Sequence, residues 1–252
     1  MDFFEIALLV GIGVIAGGWN AIAGGATLFS FPVLMAVGLP PVVANATNFL
    51  ALAPANLFAL PPYLDELRRI CRRLIPILLY SGAGAVIGSL LLIFSDPAFF
   101  DVLIPFLLLA ATALFVLGDR LRAALLAMAG EAGGDRIVYA ALFAVSIYGG
   151  YFGAGVGVIL LALGQLLGYR DFHVANAIKN ATATGFTFIS IILFGLSGLI
   201  AWPEAITMMF GSAIGGYFGG KLAKRVNQKL LRGAVTGFGL ILSAVYFYRV
   251  FL

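Results

Sequence analysis

Apolar residues run almost without interruption from residue 3 to residue 37, with Glu5, Asn20, Thr27 and Ser30 as the clearly polar side chains. As one straight helix this run would be about 52 Å long, well past a hydrocarbon core of about 30 Å. It must break, and the glycines from Gly17 to Gly25 are where a break costs least. The pattern predicts a helical hairpin with arms near 3–18 and 21–37, stopped by Gly38-Leu-Pro-Pro. A span over 42–60 follows, kinked near Pro54, and then a charged loop, 61–73, holding Arg68, Arg69, Arg72 and Arg73. Spans over 74–94 and 102–118 flank a short acidic loop, 95–101. Charges of both signs and three glycines mark 119–136 as a linker. A second hairpin is expected over 137–151 and 153–168, then spans over 174–197, 204–220 and 233–250, with a basic loop at 221–232.

The second half repeats the first. Residues 16–50 and 148–185 both open on a glycine pair and an aromatic, Gly17-Gly18-Trp19 and Gly149-Gly150-Tyr151. Both carry further glycines, Gly24 and Gly25 against Gly153, Gly155 and Gly157, and both close an apolar run with a glycine, Gly38 and Gly168. Both end in Val-Ala-Asn-Ala, which pairs Asn45 with Asn176. Gly84 and Gly88 answer Gly211 and Gly215, so the repeat extends further. The expected domains are a first transmembrane repeat over 1–118, a cytoplasmic linker over 119–136 and a second transmembrane repeat over 137–252.

Composition agrees with a polytopic membrane protein: 62% of residues are hydrophobic and 10% charged, against about 25% charged in a soluble domain. The N-terminus carries Asp2 and Glu5 rather than Lys or Arg, so the first apolar run is expected to be retained rather than cleaved as a signal peptide. Placing the 61–73, 119–136, 169–173 and 221–232 loops in the cytoplasm puts fourteen of the fifteen Lys and Arg on or near that side, leaving Arg249 outside. The first hairpin then enters from the outer face and the second from the inner face. The expected fold is all-α, two inverted-topology repeats, each a glycine-broken hairpin plus three spanning helices. Many secondary transporters place a midplane substrate site between such halves.

The Ala-Gly-Gly…Ala-Gly-Gly-Ala stretch, Pro32, the Gly38-Leu-Pro-Pro with Ala-Asn-Ala-Thr-Asn after it, and their second copy resemble the TauE/SafE sulfite exporter family, also called the four-toluene-sulfonate uptake permease family. The resemblance covers essentially the whole chain; Gly155-Val-Gly157 departs from the family's commoner unbroken glycine run. It implies transport of sulfite, sulfonates or related small sulfur anions across the inner membrane, with a small anion and the lipid bilayer as partners and with export as the expected direction. Other small anions, thiosulfate or a carboxylate, stay open as alternatives.

Candidate site residues follow from the repeat. Glycine breaks leave helix N-termini able to face an anion, which singles out Gly24, Gly25, Gly155 and Gly157; the competing role for such glycines is close helix packing. Polar groups in a span face the protein interior. Asn45, Thr47 and Asn48, with Asn176, Lys179 and Asn180, therefore form either a substrate site or interhelical cross-links. Lys179 aligns with Asn48; it is either the partner of an anion or a residue that snorkels to the interface. Trp19 and Tyr151 share a repeat position suited to gating, stacking or plain packing. Gly11-x-Gly13-x-x-Ala16 imitates a dinucleotide fingerprint but lacks the strand and acidic ribose partner that the motif needs. The sequons at Asn45 and Asn180 lie inside apolar spans. One cysteine, Cys71, and one histidine, His173, argue against a metal site, and no cofactor is expected. The eleven Asp and Glu residues all fall in expected loops or span ends, which disfavours a cation substrate. No nucleophile–base pair or phosphate loop stands out, so an enzyme, such as one acting on a lipid or a sulfur compound within the membrane, is the weaker reading.

Overall fold

The computed structural model describes residues 1–22, 25–58, 60–128, 135–167, 169, 172–222 and 228–251. Among them the chain is helical, without strands: α1 (Phe3–Ile22), α2 (Thr27–Ala36), α3 (Pro41–Leu57), a 3-10 turn (Pro61–Tyr63), α4 (Leu64–Arg69), α5 (Cys71–Ile93), α6 (Pro97–Met128), α7 (Asp135–Tyr151), α8 (Val156–Leu166), α9 (Phe172–Leu196), α10 (Trp202–Leu222) and α11 (Gln228–Phe251). By length and composition four stretches of these can cross a bilayer: Phe3–Asn20, Cys71–Ile93, Pro97–Leu114 and Val174–Leu196. Large apolar residues such as Phe3, Leu79 and Ile192 are exposed along them, as suits lipid-facing positions, and the exposed charges Arg72, Arg73 and Asp101 lie near their ends.

Both predicted hairpins are present, with the first break displaced. The α1 helix runs through Gly17 and Gly18 to Ile22, and the described backbone turns at Gly25, where φ is +78°. Gly17 and Gly18 serve packing instead: α10 lies so close that a Cβ on Gly17 would strike the backbone of Ser212. The second hairpin breaks where expected, between Tyr151 and Val156, with Gly155 also at φ +78°. A left-handed backbone at these points, and at Gly153 with φ +77°, costs glycine nothing and other residues about 1–2 kcal/mol. The α3 helix ends three residues after Pro54, and the α6 helix runs ten residues beyond the expected span, so Asp119, Arg120 and Arg122 lie on a helix rather than in a loop.

Helix packing repeats as the sequence does. The α1 helix lies against α10 as α7 lies against α5; α3 lies against α10 as α9 lies against α5; α3 meets its counterpart α9, and α6 meets its counterpart α11. Exchanging the halves carries these pairs onto one another, whereas the α6–α8 and α3–α6 contacts have no counterpart of similar extent among the described residues. Close approach within the α5–α7 and α1–α10 pairs depends on Gly88 and Gly215. A Cβ on Gly88 would enter the Ile147 carbonyl, and one on Gly215 the Val14 carbonyl. The 61–70 segment packs against the start of α9 through α4, and Tyr63 bonds Asn176 there. At the other end Thr47 near the start of α3 accepts from the Ala201 amide at 3.0 Å.

Candidate functional site

The two broken hairpins and the α3–α9 pair line a partly open cavity of about 90 Å³. That is well below the roughly 300–1,000 Å³ of a drug-sized site and suits a small solute. From the hairpins come Asn20, Gly25 and Thr27 of the first and Phe152, Gly153, Gly155, Val156 and Gly157 of the second. The α3 helix adds Asn48, Phe49, Leu52 and Asn56; the α9 helix adds Lys179, Asn180, Ala183, Phe186 and Thr187.

These α3 and α9 positions are repeat counterparts. In the register that aligns Asn45 with Asn176, Asn48 falls on Lys179, Phe49 on Asn180, Leu52 on Ala183 and Asn56 on Thr187. Asn56 Nδ2 donates to Thr187 Oγ1 at 3.4 Å, so two residues at matching repeat positions touch beside the cavity. Asn20 Nδ2 donates to Asn56 Oδ1 at 2.7 Å, and Thr184 Oγ1 donates to the Asn56 carbonyl at 3.4 Å. A polar strip thus joins the first hairpin, α3 and α9.

Two short helices begin at the cavity. The first residues of α2 and α8 line it, and neither helix carries a side-chain cap: Ala26 and Gly155 stand at the N-cap positions. The aligned peptide dipoles make a helix start positive, while Leu28, Phe29 and Val158 already donate their N–H groups back to the Gly25, Ala26 and Gly155 carbonyls. An uncapped start facing a cavity is an anion-binding arrangement. Lys179 adds a full charge. Its stem runs past Gly157, where a Cβ would stand 3.7 Å from Lys179 Cδ. Among the described residues the ion pairs are Met1–Glu5 and Arg68–Asp65, so no described carboxylate neutralises it. The second hairpin is held in shape by the Tyr148 hydroxyl, which donates to the Ala154 carbonyl at 2.9 Å.

The structure divides the expected site residues. Gly25, Asn48, Gly155, Gly157, Lys179 and Asn180 line the cavity together. Asn48 is oriented by Ser30, whose hydroxyl donates to Asn48 Oδ1 at 2.5 Å. Asn45, Thr47 and Asn176 lie outside the lining and act as cross-links: Asn45 Nδ2 donates to the Tyr151 carbonyl at 2.7 Å, Thr47 accepts from Ala201, and Asn176 Nδ2 donates to the Tyr63 hydroxyl at 2.6 Å. Trp19 and Tyr151 also lie outside it. Trp19 packs on Phe29 with ring centres 5.1 Å apart, and Tyr151 meets Phe100 edge-on at 5.6 Å. Gly24 and the His173 side chain lie outside the described residues. Sequence reasoning did not single out Asn20, Asn56 or Thr187 as site residues. The signal was available, since Asn56 and Thr187 are amide and hydroxyl at matching repeat positions inside apolar spans.

Comparison with known proteins agrees with this architecture. The family described as "Sulfite exporter TauE/SafE" matches residues 9–246. A "Probable membrane transporter protein" of Haemophilus influenzae is 32% identical over 96% of this chain and 94% of its own. The "Probable membrane transporter protein YfcA" of Escherichia coli K12 is 27% identical over 96% of this chain and 90% of its own. "Probable membrane transporter protein ORF9" of a Sinorhizobium species is 26% identical over 92% and 88%. No solved structure matches. Full-length agreement with the family pattern, on a helical chain whose broken hairpins line a small cavity, places this protein in the TauE/SafE sulfite exporter family of membrane transporters.

Proposed function

We propose that the chain carries a small sulfur-containing oxyanion, sulfite or an organosulfonate, outward across the inner membrane. The observation that carries this reading is the convergence of two uncapped helix N-termini and the Lys179 amine on one small cavity. Each favours an oxyanion: backbone N–H groups and an ammonium donate, and neither accepts. The only described acceptors close by are amide and hydroxyl oxygens, and a cation site at membrane depth ordinarily uses a carboxylate. The repeat and the one-sided arginines support inverted halves, with the cavity where the halves meet. The family description supports sulfur chemistry, since a pyramidal or tetrahedral oxyanion offers three oxygens to donors arriving from different elements.

Calorimetric binding and vesicle flux with the purified chain test the reading. The panel holds sulfite, thiosulfate, a short sulfonate, a matched carboxylate and a monovalent organic cation. The expected result is saturable binding and flux of at least one sulfur oxyanion, weaker handling of the carboxylate and none of the cation. Preference for the carboxylate replaces the substrate class, and cation flux ends the anion reading.

A further inference from the structure

The two hairpins are tied to the α3–α9 pair unequally, although the sequence repeats. Asn45 on α3 is fully buried, and its Nδ2 donates to the Tyr151 carbonyl at the end of α7. Tyr151 is anchored in turn: its hydroxyl lies 3.2 Å from Ser95 Oγ, in the turn between α5 and α6, and its ring packs against Phe100. Thr47, half a turn further along α3, holds the Ala201 amide in the turn between α9 and α10. The Tyr151 contacts fasten the tip of the second hairpin, and the Thr47 contact fastens α3, at the end of the molecule remote from Arg68–Arg73.

The repeat places Asn176 where it would fasten the first hairpin in the same way, through the carbonyl of Trp19. It does something else: Asn176 Nδ2 donates to the Tyr63 hydroxyl at 2.6 Å. Trp19 is left with a buried indole Nε1–H that has no acceptor, and the first hairpin is bonded through Asn20 to Asn56 of its own half. Of two equivalent fastenings, one is made and one is not. The closed fastening is itself incomplete, since Asn45 Oδ1 is buried without a partner among the described residues, and a pair of alternative arrangements is what a bistable carrier requires.

We propose that Asn45 and Asn176 form a reciprocal latch. Each asparagine, in one of two conformations, grips the tip of the opposite repeat's hairpin and shuts the cavity toward its own end of the molecule. In this structure the Asn45–Tyr151 latch is closed and the Asn176–Trp19 latch is open, with Asn176 parked on Tyr63. In the other conformation Asn45 releases Tyr151, and Asn176 leaves Tyr63 for the turn at Trp19. The proposal rests on the transporter reading, but its readout needs no substrate.

The test uses the full chain with Cys71, its single cysteine, replaced by Ser, and with the cavity residue Ala183 replaced by Cys as the reporter. A membrane-impermeant thiol reagent is applied from either side of oriented vesicles and the labelling rate measured. Reaction of Ala183→Cys is expected mainly from the arginine-bearing side. Adding Asn45→Ala should raise labelling from the opposite side by roughly fivefold, the population shift expected for losing one buried hydrogen bond. Tyr151→Phe, which removes only the contact to Ser95, should act in the same direction, and Asn176→Ala should not. If Asn45→Ala fails to assemble, Tyr151→Phe decides. Opposite-side labelling that neither change raises, or that Asn176→Ala raises equally, overturns the latch. A chain that shows this labelling pattern yet moves no sulfur oxyanion would refute the substrate and leave the latch standing.

Discussion

Lys179 reaches the cavity with its stem against Gly157 and with no described carboxylate beside it. On the proposed reading a cation placed this way serves as a ligand group, since removing it breaks no ion pair among the described residues. Lys179→Met keeps the length of the stem and deletes the charge. It should weaken oxyanion binding by roughly one to two orders of magnitude, the worth of a charge-assisted hydrogen bond, with little change in thermal stability. Titration calorimetry alongside a melting curve checks both halves; unchanged affinity would return Lys179 to snorkelling. The sequence was legible here as far as polarity goes. A polar side chain in an apolar span must find a partner, but the rule is silent on whether that partner is a solute or the protein. Hence Asn48 and Lys179 reach the cavity, while Asn45, Thr47 and Asn176, which share the same motif, spend their groups on Tyr151, Ala201 and Tyr63.

At the scale of elements, the glycines separate into two uses that spacing alone could not assign. Gly25 and Gly155 take positive φ and start the half-helices at the cavity. Gly88 and Gly215 stay helical and let α5 approach α7 and α1 approach α10. A helical glycine costs about 1 kcal/mol relative to alanine, and contact between backbones offsets it, since helices in lipid associate through such packing rather than through exclusion of water. Gly88→Leu and Gly215→Leu should each destabilise by about 1–3 kcal/mol or more, because the neighbouring backbone cannot yield. Their equivalence is the sharper expectation: both should lower the melting temperature in detergent, and to a similar extent. A large drop for one with none for the other would show that the two interfaces are not alike. The first break was misplaced for the same reason. Gly17 and Gly18 look like breakers in sequence, but α10 runs alongside and keeps them in the helix.

For the whole molecule, the absence of any carboxylate among the described cavity residues bears on energetics. With the cytoplasm negative, one negative charge moving outward gains about 2.3 kcal/mol per 100 mV. That sustains roughly a fifty-fold concentration ratio for each charge. On the proposed reading, net export of a monoanion therefore needs no coupled proton. Flux in proteoliposomes under a potassium diffusion potential should reverse its preferred direction when the potential is reversed. Flux indifferent to the potential and driven by an imposed pH gradient would instead indicate electroneutral proton coupling.

What the sequence determined alone was the class of object: apolar runs of membrane-spanning length, broken twice by glycine, repeated once and bordered by one-sided arginine. Those features come from local rules of chain reach, backbone sterics and hydration, and they act on neighbours in sequence. The tertiary structure decided which of the equivalent polar groups face the cavity, that Asn56 and Thr187 meet, and that Asn45 is bonded to the opposite hairpin while Asn176 is bonded to Tyr63. These depend on contacts between residues more than a hundred positions apart. A repeated sequence can specify two equivalent bonding sites, but only the packed arrangement of the whole chain selects which one is made.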